Sequence, residues 1–223
     1  MSGAQAPSER SRVRRLPEKA RYERETVDAV LDAAPYCTVA AVVDGLAVAL
    51  PTLHARDGDV LYLHGSRSNA VMKAVLARGE ACVTATLYDG IRVARSGFES
   101  SIAYRSVVVF GAVASVTDLE AKRRILDDFV DAVLPGRSGE IRPATDAELR
   151  RTLVVSVSID EASVKVSAGP TDDPAEDQAL PVWSGVVPAR LTFGPPVPSS
   201  DGAMGDGAIP VPASVRRLLD GTP

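Results

Sequence analysis

The alternation of apolar and polar positions divides the first half of the chain into a helix followed by strands. From Thr26 the apolar residues recur at helical spacing, and this pattern stops before Pro35. Cys37 to Val43 is rich in valine and alanine, and the Asp44-Gly45 dipeptide that follows is typical of a hairpin turn. Leu46 to His54 resumes the strand pattern, which predicts an antiparallel hairpin directly after the first helix.

A second turn and a second helix follow this hairpin. The turn at Arg56 to Asp59 leads into an apolar strand that ends at His64, so the region predicts three successive antiparallel strands. A helix is predicted from Asn69 to Arg78. Gly79 then supplies the residue that commonly ends a helix in the left-handed conformation.

The next segment alternates with the two-residue period of a half-buried strand. Ala81 to Tyr88 shows this period, and Asp89-Gly90 is a second hairpin signal leading into a strand from Ile91 to Ser96. A long strand is predicted from Tyr104 to Val116. It is interrupted at Gly111, which indicates a bulge or a tight bend.

Two capping boxes mark helices in the second half of the chain. They begin at Thr117 and Thr145, each with a glutamate three residues later. Alternating strands are predicted from Leu153 to Ile159 and from Ala162 to Ser167. Short strands, Asp-Gly turns and surrounding helices together favour an α+β protein built on a small antiparallel barrel.

The ends of the chain differ from this central part. Residues 1–15 are polar and basic and are predicted to form a flexible arm. Residues 16–187 hold the predicted barrel domain. Residues 188–223 are dense in proline and glycine, so we expect a largely irregular tail, with Gly194 to Pro223 irregular or disordered.

Charge and cysteine content exclude several classes of protein. The net charge is −4 and basic residues cluster only in the arm, so nucleic acid is not an expected partner. Cys37 and Cys82 lie in apolar runs without metal-ligand spacing, which predicts buried thiols in a reducing compartment. We expect a cytoplasmic protein, because no apolar run is long enough for a membrane span and the N-terminus is not a signal peptide.

The stretch Leu61 to Asn69 is the strongest candidate for a binding site. Its strand runs into a glycine- and serine-containing turn at the start of a predicted helix. Backbone N–H groups of such a turn, together with the positive end of the helix dipole, form an anion site that suits a phosphate. His64 lies at the mouth of this site. An ordinary strand-to-helix connection would show the same local pattern.

Other polar residues gather near the predicted strand ends, but each has an ordinary structural interpretation. Arg95 and Arg105 have the forked geometry that pairs with phosphate, although either alone is typical of a surface ion pair. Trp183 is the single tryptophan and either packs on its own core or stacks on an aromatic cofactor. Two histidines are too few to support a zinc site or a Ser-His-Asp triad, and no metal site is predicted.

Several of these segments occur in an order that resembles a known family. Leu50 to Leu53, Leu61 to Ser66, Cys82 to Thr84, Arg95-Ser96 and Tyr104 to Gly111 look like the pyridoxamine 5′-phosphate oxidase-related, FMN-binding split-barrel proteins. The branch that contains nitroimidazole-resistance proteins is the most similar. The resemblance covers roughly Arg15 to Trp183. It implies a six-stranded antiparallel Greek-key split barrel with flanking helices, acting as a homodimer with FMN at the subunit interface.

The resemblance also assigns roles to individual residues. It places His64 at the active site, as a proton donor or substrate contact. It implies that Pro51, Thr52, Leu53 and His54 lie along the flavin ring. The remaining residues that it implies in cofactor binding are His64, Gly65, Ser66, Ser68, Asn69, Thr84, Arg95, Tyr104, Arg105, Ser106 and Trp183. One phosphate pocket is visible, so a second one for pyridoxamine phosphate is not expected.

Three functions are compatible with these residues. The leading hypothesis is an FMN-dependent oxidoreductase that acts on a small organic substrate such as a nitro compound or a quinone. A second is a protein that binds flavin or haem without turnover, which the scarcity of acid–base groups favours. A third is a reductase that uses the deazaflavin F420, whose acidic tail needs more basic residues than the chain obviously supplies.

Overall fold

The computed structural model describes residues 5–199 and 209–221, which form ten β-strands and six α-helices. The strands are β1 (Ala20–Arg21), β2 (Cys37–Val43), β3 (Leu46–Thr52), β4 (His54–Asp57), β5 (Val60–Ser66), β6 (Glu80–Val93), β7 (Ser101–Val116), β8 (Thr152–Ser158), β9 (Glu161–Ser167) and β10 (Gly185–Pro188). The helices are α1 (Arg24–Ala33), α2 (Ala70–Arg78), α3 (Leu119–Val133), α4 (Asp146–Arg151), α5 (Ala175–Gln178) and α6 (Ala213–Leu219).

The strands pair in antiparallel fashion in the order β3-β2-β6-β7-β8-β5-β4. In addition, β9 pairs with β7 and β1, and β10 pairs with β6. The predicted antiparallel sheet with flanking helices is confirmed, and within the described residues the sheet is not closed into a ring. The prediction of six strands is wrong, since ten are present. The additional β1, β4 and β10 have two to four residues each, too few to show a period in the sequence.

The predicted strand from Leu46 to His54 divides at Leu53. β3 pairs with β2, whereas β4 turns away and pairs with β5, and β3 and β4 lie at the two ends of the ordered path. The prediction of three successive antiparallel strands is therefore wrong in its pairing. The consequence is that Leu53 lies between the two parts of the split sheet.

The Asp89-Gly90 dipeptide does not form the predicted hairpin. β6 continues through Asp89 and Gly90 with a register shift against β7. Gly90 has a φ of 147°, and a Cβ there would lie 2.3 Å from the carbonyl oxygen of Val187. Asp89 accepts two hydrogen bonds from Arg105. The pair that the sequence marked as a turn thus forms a bulge where β10 approaches.

Gly111 marks the place where β7 exchanges one partner strand for another. Before it, Tyr104 to Phe110 pair with β9; after it, Val113 to Val116 pair with β8. A Cβ on Gly111 would lie 2.0 Å from the carbonyl oxygen of Ser158, so only glycine fits this approach. The bend predicted at Gly111 is what brings β8 and β5 together beside the end of β7.

Apolar side chains form two clusters on opposite faces of this sheet. The main core contains the inward residues of β2, β5, β6, β7, β8 and β9 together with those of α1 and α2. The smaller cluster lies under α3 and is centred on Ala55, Ile125, Phe129 and Val154.

Helix α3 begins one residue later than predicted, because Asp118 and not Thr117 caps it by accepting from the Ala121 N–H. The Thr145 capping box is confirmed.

The two chain ends contact different parts of the domain, the N-terminal arm the sheet and helix α6 the loop that follows α3. Arg10 donates to Glu161 and Glu80 and lies 5.0 Å from the centre of the Phe110 ring, so the described part of the basic arm is held at this point. In the tail, α6 is a helix that the proline and glycine content did not predict. Part of the segment from Gly194 to Pro223 lies outside the described residues. Among those described, no helix is both long and apolar enough to span a bilayer.

Candidate functional site

His64 lies between the sheet and helix α3. On β5 the side chains of Leu61 and Leu63 are fully buried in the main core, so the alternation directs His64 to the opposite face. There its ring meets the edge of Phe129, with ring centroids 4.3 Å apart and planes inclined by 70°. The two-residue period of the strand is thus what places this histidine under the helix.

A cavity of about 450 Å³ opens beside the His64 ring. Its walls are the C-terminal half of α3, the residues that follow this helix, and the link between β3 and β4. Among the lining residues described, Arg137 carries the charge, and all the others apart from His64 are apolar. The lining consists of Leu53, His64, Leu126, Phe129, Val130, Val133, Leu134 and Arg137.

The imidazole of His64 is held in its neutral form. Nδ1 is buried and has no hydrogen-bond partner within the described chain. Burial lowers the pKa of His64 below its ordinary value of 6.5, because the apolar surroundings penalise the imidazolium. A neutral imidazole has a free lone pair on one ring nitrogen. Such a group facing an apolar cavity suits metal coordination better than donation of a proton.

The turn after β5 forms a compact loop ahead of helix α2. The hydroxyl groups of Ser66 and Ser68 lie 2.8 Å apart, and the Ser68 N–H donates to the Ser66 hydroxyl oxygen. Helix α2, predicted from Asn69, begins at Ala70, and Asn69 caps it by accepting from the Met72 N–H. A Cβ on Gly65 would lie 3.3 Å from Nδ2 of Asn69, so the glycine keeps the turn tight.

Two positive side chains lie beside this turn without a carboxylate partner among the described residues. Arg67 donates to the carbonyl oxygen of Arg150. Lys122 is 6% exposed and donates to the carbonyl oxygen of Thr152, the residue paired with Ser66. Burial lowers the pKa of Lys122, and the charge of Arg67 lowers it further. An anion at the turn would relieve this repulsion.

Pro51, Thr52 and Thr84 lie on a neighbouring part of the sheet. Pro51 and Thr84 both pair with Thr38, one from each side, so they belong to one row across β3, β2 and β6. The Thr84 hydroxyl donates to the carbonyl oxygen of Val107 and is engaged within the sheet. Thr52 precedes Leu53, which reaches the His64 cavity.

His54 lies close to the site but has a different environment. It is 8% exposed, and its Nε2 lies 2.8 Å from the carbonyl oxygen of Leu31. Burial lowers its pKa, with the Leu31 carbonyl and Asp32 acting in the opposite direction. His54 borders a separate cavity of about 230 Å³ and not the His64 cavity. Its ring nitrogen anchors β4 to helix α1.

The remaining predicted residues lie far from His64 within one chain. His64 shares a row with Val154 and Val116 across β5, β8 and β7. Tyr104 lies twelve residues further along β7, which corresponds to about 40 Å of strand. The residues at this distant end are Arg95, Tyr104, Arg105, Ser106 and Trp183.

The two arginines of this distant group are engaged with carboxylates. Arg105 forms a two-point ion pair with Asp89, and this contact lowers the pKa of the Asp89 carboxyl group. Arg95 donates both a backbone and a side-chain hydrogen bond to the buried Asp173. Trp183 is 65% exposed and packs against Gly185. A single chain therefore does not bring this group to the predicted phosphate site.

A larger cavity, of about 870 Å³, lies between helix α2 and the β2–β3 hairpin. None of the sequence-predicted site residues lines it, and its lining is mostly alanine and valine. The smaller His64 cavity is chemically more informative, because it combines an imidazole ring with a charged residue at its edge.

Sequence reasoning missed residues that complete the site. Phe129 and Arg137 line the cavity but lie more than sixty positions after His64, and no local pattern connects them. In the sequence, Lys122 is one of several charged residues in an amphipathic helix and has no distinguishing pattern. Its burial against the end of α4 depends on tertiary packing. Arg67 was visible within the turn, where its basic charge is the signal that marks it as an anion ligand.

The geometry agrees with what sequence comparison finds. A family model described as pyridoxamine 5′-phosphate oxidase matches residues 23–166, which include β5, the turn and all of α3. The chain belongs to the pyridoxamine 5′-phosphate oxidase family. The part matched therefore contains His64, Arg137 and the proposed anion site, whereas α6 lies beyond it. A search of curated proteins gave no match.

Two solved members of this structural group are similar over almost the full chain. The flavocytochrome Anf3 from Azotobacter vinelandii is 38% identical, with 96% of this chain and 99% of that chain covered and a TM-score of 0.89. The FAD and heme binding protein from Mycobacterium smegmatis is 42% identical, with 90% and 97% covered and a TM-score of 0.83.

A third solved structure shares the fold at lower identity. It is a putative 5-nitroimidazole antibiotic resistance protein from Bacteroides thetaiotaomicron, 21% identical, with 66% of this chain and 86% of that chain covered and a TM-score of 0.57. This is the branch that the sequence resembles. At this identity the likeness concerns the split-barrel fold alone.

Proposed function

We propose that this protein is a flavin- and haem-binding redox protein, with haem in the His64 cavity and the flavin phosphate at the Ser66 to Asn69 turn. The observation that carries the proposal is the half-buried His64 ring, which borders an apolar cavity and whose buried Nδ1 has no described partner. Support comes from the two relatives at 38% and 42% identity, one described as a flavocytochrome and the other as an FAD and heme binding protein.

The cavity fits a haem in its chemistry. A neutral imidazole is the usual axial ligand of a protein haem, and apolar walls cover the macrocycle and keep water away from the iron. The edge contact with Phe129 restricts rotation of the His64 ring. Arg137 stands at the edge of the cavity, where the acidic substituents of a haem would emerge.

The turn fits a flavin phosphate for independent reasons. The Ser66 and Ser68 hydroxyl groups and the positive end of α2 face the same region. Arg67 and Lys122 add two charges that no described carboxylate neutralises. Pro51 to Leu53 lead from the sheet to the cavity, so a flavin ring along them would lie beside the haem. Flavin and haem together supply one- and two-electron redox chemistry, which the chain orients and shields from water.

A homodimer would complete the flavin site. Arg95, Tyr104 to Ser106 and Trp183 lie at the far end of the β6–β7 pair, separated along β7 from the row that contains His64. The same end exposes apolar side chains, including Ile91, Ile102 and Val187, at 45 to 47%. Contact between two copies through this end would cover these side chains and place the distant group of one copy near the turn of the other.

The sequence resemblance implies FMN, whereas one relative is described as binding FAD, and both carry a phosphate that the turn would hold. Turnover of a small organic substrate remains part of the proposal and requires space beside the flavin ring. Leu53, which is 37% exposed, lines one open side of the cavity there. Neutral His64 would act as an iron ligand in this arrangement and not as the proton donor that the resemblance suggested.

The test is a titration of cofactor-free protein with haemin, FMN, FAD and F420 in turn, followed by absorbance. We expect one haemin per chain with the Soret band of a histidine-ligated haem, and one FMN or FAD per chain. Absence of a Soret shift at saturating haemin would overturn the haem assignment. Selective uptake of F420 would replace the flavin.

Arg67→Gln tests the phosphate site separately. It should weaken flavin binding by about tenfold or more, because a charge-assisted hydrogen bond is lost, and should leave haemin binding unchanged. Arg21→Gln is the matched control, since Arg21 also donates to backbone carbonyl oxygens but lies far from the turn in the sequence. Equal effects of the two substitutions would contradict the assignment.

A further inference from the structure

The C-terminal helix α6 is fastened to the loop that follows helix α3. Ser214 is 1% exposed; its N–H donates to Oε1 of Glu140 over 2.9 Å and its hydroxyl donates to Oε2 over 2.5 Å. Arg217 donates to the carbonyl oxygen of Pro135 over 2.9 Å. A Cβ on Gly136 would lie 2.5 Å from Nη2 of Arg217, so the helix packs closely on this loop.

The same carboxylate that holds α6 also contacts the edge of the His64 cavity. Nη1 of Arg137 donates to Oε2 of Glu140 over 3.2 Å, and Arg137 lines the cavity. Glu140 therefore connects Ser214 on the tail helix with the charged residue of the cavity. The link runs through three side chains and joins the C-terminal tail to the middle of the chain.

Arg137 retains most of its hydrogen-bonding capacity. Its guanidinium has five N–H donors, and the one from Nη1 to Glu140 is the donor with a partner among the described residues. The side chain is 35% exposed, which leaves the other donors free to reach a ligand at the cavity mouth. An exposed ion pair of this kind adds little to folding stability, so its geometry is better explained by orientation of the guanidinium.

Glu140 remains a carboxylate throughout the range in which the protein would work. Its pKa is lowered to about 2, first by the hydrogen bond from the Ser214 hydroxyl and then by that from the Ser214 N–H, with Arg137 contributing less. The fastening at Ser214 and the charge that orients Arg137 thus persist together at neutral pH.

We infer that Arg137 binds a carboxylate of the ligand in the His64 cavity, and that Ser214 and Glu140 are positioning residues that aim it. The inference rests on the proposed function and names the haem propionates as the carboxylates concerned. A planar guanidinium pairs with a carboxylate through two parallel hydrogen bonds, which makes Arg137 suited to fix the rotation of a haem as well as its affinity. The tail beyond the barrel would then control how the cofactor is seated.

The experiment compares haemin with haemin dimethyl ester, in which both propionates are neutral. For the full-length wild-type protein we expect haemin to bind at least about tenfold more tightly than the ester, the size of a charge-assisted hydrogen bond. Arg137→Gln should remove this preference, so that the variant binds haemin and the ester with similar affinity. Ser214→Ala should reduce the preference without abolishing it, because Glu140 loses its fixed position.

Ser8→Ala is the matched control for Ser214→Ala. The Ser8 hydroxyl also donates to a glutamate, Glu161, over 2.6 Å, and this contact lies on the basic arm away from the cavity. Ser8→Ala should leave the preference for haemin over its ester at the wild-type value. A generally destabilising substitution would change the affinity for both porphyrins alike. The ratio of the two affinities therefore distinguishes a change in the orientation of Arg137 from a loss of structure.

The outcomes distinguish this inference from the proposed function. Equal wild-type affinities for haemin and its ester, or a preference that survives Arg137→Gln, would overturn the role of Arg137 while the haem assignment stands. An undiminished preference in Ser214→Ala would overturn the role of the tail. Uptake of neither porphyrin would overturn both the proposed function and the inference.

Discussion

At the scale of single residues, the protonation of His64 decides what its cavity can do. The ring has no described partner at Nδ1, and burial lowers its pKa, so the neutral imidazole is the form present at pH 7. His54 is neutral for a similar reason, but its Nε2 is occupied by a backbone carbonyl. Nδ1 of His54 is also buried and unpartnered, so the two histidines differ in the hydrogen bond at Nε2 and in the cavity that each borders, which the sequence does not show.

The lowered pKa values of the two histidines make stability depend on pH. Because the pKa of His64 is lower in the folded chain than its ordinary value of 6.5, the unfolded chain takes up the proton first as the pH falls. The free energy of unfolding of the cofactor-free protein should thus decrease as the pH drops through this value. His64→Gln should show a smaller decrease, with the remainder due to His54. Urea unfolding at a series of pH values measures both.

The internal control for this prediction is the free energy of unfolding measured above neutral pH. Both histidines are unprotonated there in the folded and unfolded chains, so wild type and His64→Gln should show parallel pH dependence. A variant that retained the full wild-type decrease below pH 6.5 would contradict the assigned environment of His64.

What the sequence revealed at this scale was local chemistry. The Ser66 to Asn69 turn, the helix after it and the glycine stop at Gly79 follow from short-range rules and were predicted. The roles of Lys122 and Arg137 were not predicted, because they depend on which elements pack beside the turn and the cavity. The separation of Tyr104 and Arg105 from His64 was not predicted either, because it depends on the length of β7 and on the change of partner strand at Gly111.

At the scale of elements, helix α3 is the wall that turns a sheet surface into a cavity. Phe129, Val130 and Val133 on its inner face line the cavity, and Ile125 and Phe129 anchor it to the smaller core.

The Asp-Gly pair at 89–90 shows how a dipeptide typical of hairpin turns can mislead. The dipeptide permits positive φ at glycine, and the fold uses this for a bulge under β10 and not for a turn.

The start of α3 provides a test of the element boundary. Asp118→Ala should lower the free energy of unfolding by about 1 kcal/mol, because Oδ1 of Asp118 accepts from the Ala121 N–H over 2.7 Å. Thr117→Ala is the control, since the sequence nominated the exposed Thr117 as the cap, and it should change stability by less than about 0.5 kcal/mol. Chemical denaturation of the two variants checks this. A larger effect at Thr117 would contradict the observed cap.

At the scale of the whole molecule, the split sheet separates two groups of candidate residues within one chain. One group surrounds His64 and the Ser66 to Asn69 turn. The other lies at the far end of β6 and β7, beside apolar side chains that stay exposed. The described tail adds Leu191 and Phe193, which are 76% and 57% exposed. An exposed apolar surface of this extent is typical of an interface, which is why we propose a homodimer.

Ile102→Lys tests the proposed interface. Ile102 pairs with Ile91, which in turn pairs with Val187, so these exposed side chains form one row. A charge placed there should raise the dimer dissociation constant by about 30-fold or more, since loss of a central contact costs roughly 2 kcal/mol. Flavin binding should weaken with it. Size-exclusion chromatography with light scattering measures the oligomeric state.

Ile141→Lys serves as the control for the interface. Ile141 is 40% exposed and lies in the connection between α3 and α4, away from the β6–β7 end. This variant should keep the oligomeric state of the wild type. A wild-type protein that is monomeric at high concentration, or an Ile102→Lys protein that remains dimeric, would contradict the proposed arrangement.

The most direct measurement of the central claim is the absorbance spectrum of His64→Gly with haemin, recorded with and without added imidazole. We expect the variant to lose the Soret band of the histidine-ligated haem, to regain it when imidazole enters the vacated space, and to keep its flavin band throughout. His54→Gln should retain the wild-type spectrum. A His64→Gly protein that binds haemin with an unchanged spectrum would show that His64 is not the ligand and would contradict the account.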